Sequence, residues 1–105
     1  MAALAAILPF APSRAVAGAD PKHHRVEILD FVFDPLRLHV APGDSVEWVN
    51  HDIVPHTATA LDGSWDSGEI PPGGSWRMTV GRETSEGYFC AYHPTMTAGL
   101  ELSES

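Results

Sequence analysis

At 105 residues with one cysteine and a net charge of −8, this chain has room for a single domain, no internal disulfide, and no basic surface on which nucleic acid would bind. It contains no repeat and no second compositional block that asks for another fold. A domain this small is stable by a modest margin.

The chain opens on an apolar run, Ala2 to Phe10, followed by Pro12-Ser13-Arg14 and the small-x-small triplet Ala15-Val16-Ala17. That is the layout of a secretory signal peptide, too short to span a bilayer. We expect residues 1–17 to be a signal peptide, truncated at its start because no Lys or Arg follows Met1, and residues 18–105 to be the mature domain. Loss of Arg14 with the leader takes the net charge from −8 to −9. The expected location is the periplasm, with no membrane span.

Beyond the leader the chain reads as short strands cut by turns. Val26 and Ile28 mark a first strand. Leu36, Leu38 and Val40 alternate with Arg37, His39 and Ala41, a period of two that suits a half-buried strand. Pro42-Gly43-Asp44 turns the chain into Val46 and Trp48, which alternate with Ser45 and Glu47. Trp76, Met78 and Val80 form a further alternating run, bounded by Pro71-Pro72-Gly73-Gly74 and Gly81. Tyr88-Phe89 and then Leu100 with Leu102 complete the series. No stretch after residue 20 keeps a helical period. The pattern predicts an all-β fold, an antiparallel sandwich or barrel of about seven or eight strands.

The residues with the most chemistry are Cys90-Ala91-Tyr92-His93-Pro94-Thr95-Met96. A thiolate, an imidazole and a thioether lie here within what reads as one loop, and His56 stands 34 residues upstream after Pro55. Two His, one Cys and a weak axial Met are the donor set of a blue-copper electron-transfer site. His51 competes with His56 for the upstream position. His23, His24 and His39 have weaker claims, and His39 falls on the polar face of a strand.

The spacing C-x2-H-x2-M, the preceding Tyr88-Phe89 and the upstream Pro55-His56 closely resemble the cupredoxin, or type 1 blue-copper, family. The run from Phe31 through Trp48 also resembles the N-terminal half of that family. The short loop with Pro directly after His is most similar to the amicyanin and plastocyanin group. The resemblance covers the chain from about Arg25 to Leu102. It implies a Greek-key β-sandwich holding one type 1 copper ion through His56, Cys90, His93 and Met96. It places Pro55-His56 rather than His51 at the upstream ligand position. It makes Cys90 the short equatorial ligand, Met96 the long axial one, and His93 the ligand whose ring reaches the surface. Family members often carry Asn after the upstream His, bonded across to the Cys loop. Thr57 stands here instead, a departure from the family pattern at that brace, for which its hydroxyl could serve.

The function so implied is single-electron transfer between redox partner proteins through Cu(II)/Cu(I), with copper binding for trafficking as the alternative. An enzyme is not expected, since four protein ligands leave no open position for substrate, and Phe89 and Ala91 flank Cys90 where multicopper oxidases place His. Donor and acceptor stay unnamed. Docking is expected at an apolar collar near His93, formed by Pro55 and Pro94 with Val54, Ile70 and Pro71. The acidic mature domain, expected as a monomer, suits a diffusing carrier that meets a partner with some basic surface.

Overall fold

Six of the eight strands follow from the alternation. In the computed structural model, which describes residues 20–103, the eight are β1 (His23–Leu29), β2 (Val32–Asp34), β3 (Arg37–Val40), β4 (Ser45–Asn50), β5 (Thr59–Ala60), β6 (Ser75–Thr79), β7 (Gly87–Cys90) and β8 (His93–Leu102). The expected signal peptide and its cleavage point lie outside the described residues. Among the described residues there is no helix, and so none long and apolar enough to cross a membrane.

The strands form two four-stranded sheets, ordered β2-β1-β4-β6 and β3-β8-β7-β5. Side chains on alternate positions face the space between them. Val26 and Ile28 of β1, with Val46 and Trp48 of β4, meet Val40, Tyr88, Cys90, Met96 and Leu100 from the opposite sheet. Trp48 lies at the centre, its ring 5.5 Å from each of Trp65, Trp76 and Tyr88. The Tyr88 hydroxyl and Trp48 Nε1 are both buried and without a hydrogen-bond partner. Burial drives the Tyr88 hydroxyl well above its ordinary pKa.

The sheets are mixed, which corrects the expectation of a purely antiparallel sandwich. β1 pairs parallel with β4, and β3 pairs parallel with β8. The reason is the path of the chain. After the β1–β2 hairpin it crosses to the second sheet for β3 before returning for β4. Such an excursion supplies the crossover that a parallel pair needs, and alternation along a strand carries no information about it. β2 and β5 were not legible as strands, being three and two residues long.

Candidate metal centre

Three donors converge where β4 runs out and the β7–β8 hairpin turns. Tyr88 and Cys90 occupy the inward positions of β7, and Cys90 is fully buried at the strand's end. His93 opens β8 and is paired with Cys90 across the two-residue turn Ala91–Tyr92, beside a register irregularity at Phe89/Cys90. This corrects the expectation of a loop: Cys90 and His93 belong to a tight hairpin, and Met96 sits within β8. Pro94, Thr95 and Met96 lie in the irregularity between the Cys90–His93 pair and the Phe89–Thr97 pair, and regular pairing resumes at Thr97.

His56 arrives from the other sheet. Asn50, the last residue of β4, is buried and shapes the segment that carries it. Its Nδ2 donates to the carbonyls of Val54 and Ile70 at 2.9 and 3.0 Å, and its Oδ1 accepts from the Asp52 amide at 2.9 Å. His56 then forms an antiparallel bridge with Ile70. Its ring is fully buried, whereas His93 is half-buried.

Nδ1 of His56 lies 3.6 Å and Nδ1 of His93 lies 3.7 Å from the Cys90 sulfur. The three donor atoms all fall within 4.8 Å of one another. A metal with M–S of about 2.3 Å and M–N of about 2.0–2.1 Å, at tetrahedral to trigonal angles, requires N···S separations of about 3.5–3.8 Å. Both imidazole nitrogens therefore stand at the distance from the sulfur that a shared ion demands. Met96 is buried in the same core cluster as Cys90.

The far nitrogen of His56 meets a carboxylate. Nε2 lies 2.8 Å from Asp52 Oδ2. Asp52 Oδ1 accepts from the Asp30 amide at 2.6 Å, and Oδ2 accepts from the Phe31 amide at 3.0 Å. Burial pushes the Asp52 carboxyl up, but the Phe31 and Asp30 amides and His56 outweigh it and hold it below the ordinary carboxylate value. An ionised carboxylate only accepts. In the neutral ring Nε2 is therefore the N–H that donates to Asp52, and Nδ1, on the side of the sulfur, is the nitrogen with a lone pair to offer.

Asp30 and Phe31 both have positive φ, 56° and 61°. Left-handed backbone costs a side chain as large as Phe about 1–2 kcal/mol. The turn sets the Phe31 ring edge-on to both imidazoles, 5.2 Å from His56 and 4.7 Å from His93. Neither Asp52 nor Phe31 was singled out in the sequence as a site residue.

Thr57 supplies the brace. Its amide donates to the Cys90 sulfur at 3.4 Å, and its hydroxyl accepts from the Ala91 amide at 2.7 Å. Thr59 Oγ1 donates to Asp66 Oδ1 at 3.0 Å, so the 2.9 Å contact between the two hydroxyls runs from Thr57 to Thr59. The result is a one-directional relay from the Cys90 turn to a carboxylate, in which each bond polarises the next.

The other histidines lie elsewhere. His51 turns to Glu27, His39 to Glu101 at 3.2 Å, His23 to Ser45 Oγ at 2.6 Å, and His24 to Asp44 at 2.9 Å. The collar is also revised. Ile70 is 1% exposed and belongs to the core, where its bridge with His56 holds it. Phe31 at 47%, Ile53 at 93% and Tyr92 at 47% exposure join Pro94 as the apolar groups facing outward at this end.

No protein-family model and no curated protein sequence matches the chain. Solved structures do. A purple cupredoxin from Nitrosopumilus maritimus superposes with a TM-score of 0.67 at 22% identity, over 75% of this chain and 98% of that one. The reduced Cu(I) form at pH 4 of a proline-to-glycine mutant of amicyanin gives 0.69 at 22% identity, over 83% and 87%. The copper-containing nitrite reductase of Thermus scotoductus SA-01 gives 0.69 at 22% identity, over 93% of this chain but 26% of that enzyme. At this identity the likeness establishes a cupredoxin-like β-sandwich.

Proposed function

We propose that this cupredoxin-like chain is a type 1 copper protein that carries single electrons between redox partner proteins. The observation that carries the proposal is the pair of Nδ1···Sγ separations, 3.6 and 3.7 Å, around a buried thiol. Soft thiolate and imidazole donors suit copper, with the Met96 thioether as the weak axial donor. Copper bound by His56, Cys90, His93 and Met96 would supply a one-electron Cu(II)/Cu(I) couple.

The protein's own part is to keep those donors still. Cys90 is held by the Thr57 amide, and its turn by the Thr57 hydroxyl. His56 is clamped by Asp52. A frame that does not rearrange between two charge states keeps reorganisation small. His93, the less buried imidazole, is the route to the surface. Phe31, Ile53, Tyr92 and Pro94 around it form the apolar face on which a donor or acceptor would dock. No bond of a substrate changes. An exported, periplasmic domain fits the single unpaired Cys90, which metal ligation would protect from oxidation.

The test is to add one equivalent of Cu(II) to residues 18–105. An intense visible absorption from thiolate-to-copper charge transfer is expected, and Cys90→Ser should abolish it while the domain stays folded. Colour that survives the substitution, or tightly held copper without colour, would refute the assignment. Copper that leaves within a few redox cycles would favour trafficking.

A further inference from the structure

The described part of the chain contains two carboxylates with the same hydrogen-bonding pattern. Asp44 accepts the backbone amides of Lys22 and Ala41 and contacts Nε2 of His24. Asp52 accepts the backbone amides of Asp30 and Phe31 and contacts Nε2 of His56. They stand just before and just after β4, at its opposite ends. At the Asp44 end the pattern fastens the start of β1 to the turn before β4, and His24 belongs to no donor cluster. At the Asp52 end the same arrangement closes on a donor of the metal centre.

We propose that Asp52 is a positioning residue that biases the centre toward its more highly charged state. The inference deepens the copper reading and rests on it. Three observations support it. Asp52 accepts from Nε2 of a fully buried ring, so its negative charge acts through one hydrogen bond on a donor atom directed at the sulfur. A carboxylate acceptor raises the basicity of the imidazole it holds. The same carboxylate fastens the left-handed Asp30–Phe31 turn, whose ring lies edge-on to both imidazoles and limits the ways the His56 ring can tilt. Charge and orientation are thus set by one side chain. An increase in imidazole donation stabilises Cu(II) more than Cu(I), so the potential lies lower than the same donors would give with a neutral acceptor.

Asp52→Asn tests this, because it keeps shape and one acceptor oxygen while removing the charge. We expect the visible band to remain and Cu(II) to be weakened relative to Cu(I) by at least tenfold, which for a one-electron couple is about 59 mV upward. Asp44→Asn, with the same hydrogen bonds at the far end of β4, should cost stability and leave the potential in place. Phe31→Leu, which retains both amide bonds to Asp52, should move the potential less than Asp52→Asn.

An Asp52→Asn variant that loses stability like Asp44→Asn with its potential unmoved would overturn the proposal. A Phe31→Leu variant that reproduces the whole shift would do the same. Should Asp52→Asn fail to fold, nitrogen-15 NMR of the unaltered metal-free protein decides. A His56 ring protonated at Nε2 alone supports the assignment, and a ring protonated at Nδ1 or exchanging between tautomers refutes it. Absence of the visible band in the unaltered protein would defeat the copper reading instead, and the same NMR measurement would still rule on Asp52.

Discussion

Thr57→Val removes the brace and leaves the shape. Thr57 is 3% exposed, and its hydroxyl both accepts from the Ala91 amide at 2.7 Å and donates to Thr59 at 2.9 Å. Stranding the partly buried amide costs about 1–3 kcal/mol, and losing the hydroxyl–hydroxyl bond about 0.5–1.5 kcal/mol. The added methyl returns about 0.8 kcal/mol. The net loss is about 2 kcal/mol, which for a domain of this size lowers Tm by about 8–16 °C. Urea unfolding of the metal-free protein measures it directly. Thr57→Ser, which restores both hydrogen bonds and gives up one methyl, should recover part of the loss. A Val variant as stable as the native protein, or a Ser variant less stable than Val, would refute the reasoning. In the copper-loaded protein the Val variant should also show a shifted thiolate band, because the Cys90 turn is no longer tied to the segment carrying His56.

Other substitutions give separate tests. Met96→Leu conserves volume in the core and should cost less than about 1.5 kcal/mol. It removes a weak donor, so the potential should rise with copper retained, and an unchanged potential would remove Met96 from the donor set. Tyr88→Phe deletes a buried hydroxyl that has no partner, so it should be neutral or stabilising by about 1 kcal/mol in thermal unfolding, against the usual direction for a core change. Burial raises the Asp44 carboxyl, but the Lys22 amide, His24 and the Ala41 amide outweigh it and hold it at about 2 rather than 3.8. Its stabilisation is therefore fully present above about pH 4 and is lost as pH falls toward 2. Asp44→Asn should cost about 1–2 kcal/mol at neutral pH, less than the shift alone would convert to because His24 is partly exposed, and it should flatten the acid limb in a stability-against-pH series.

The donors were legible because their chemistry and spacing are local. Cys90, His93 and Met96 fall within seven residues, and Pro55-His56 has few alternatives. The strands that fill the core were legible for a similar reason, since Val26 and Ile28 flank Glu27 and Val46 and Trp48 flank Glu47. What could not be read depends on contacts between distant segments. Asp52 looks like an ordinary turn residue until the β1–β2 hairpin delivers two amides to it. Phe31 reads as a strand position in Phe31-x-Phe33, whereas its positive φ turns the ring over the histidines. Ile70 was placed with the apolar collar, and only its bridge to His56 and its burial reveal that it is core. The spacing 90–93–96 suggested a loop because it does not show that His93 opens β8 by pairing back to Cys90 across a two-residue turn.

That last strand also governs when the molecule can first hold an ion. β8 pairs with β3, more than fifty positions earlier, as well as with its neighbour β7. Such non-local pairing makes closure slow, on the order of milliseconds to seconds. His93 opens the strand that completes this closure, and Cys90 is the residue across the turn from it. A chain not yet closed therefore offers a lone thiol and scattered imidazoles rather than a chelate. The donor cluster becomes available only at the end of folding.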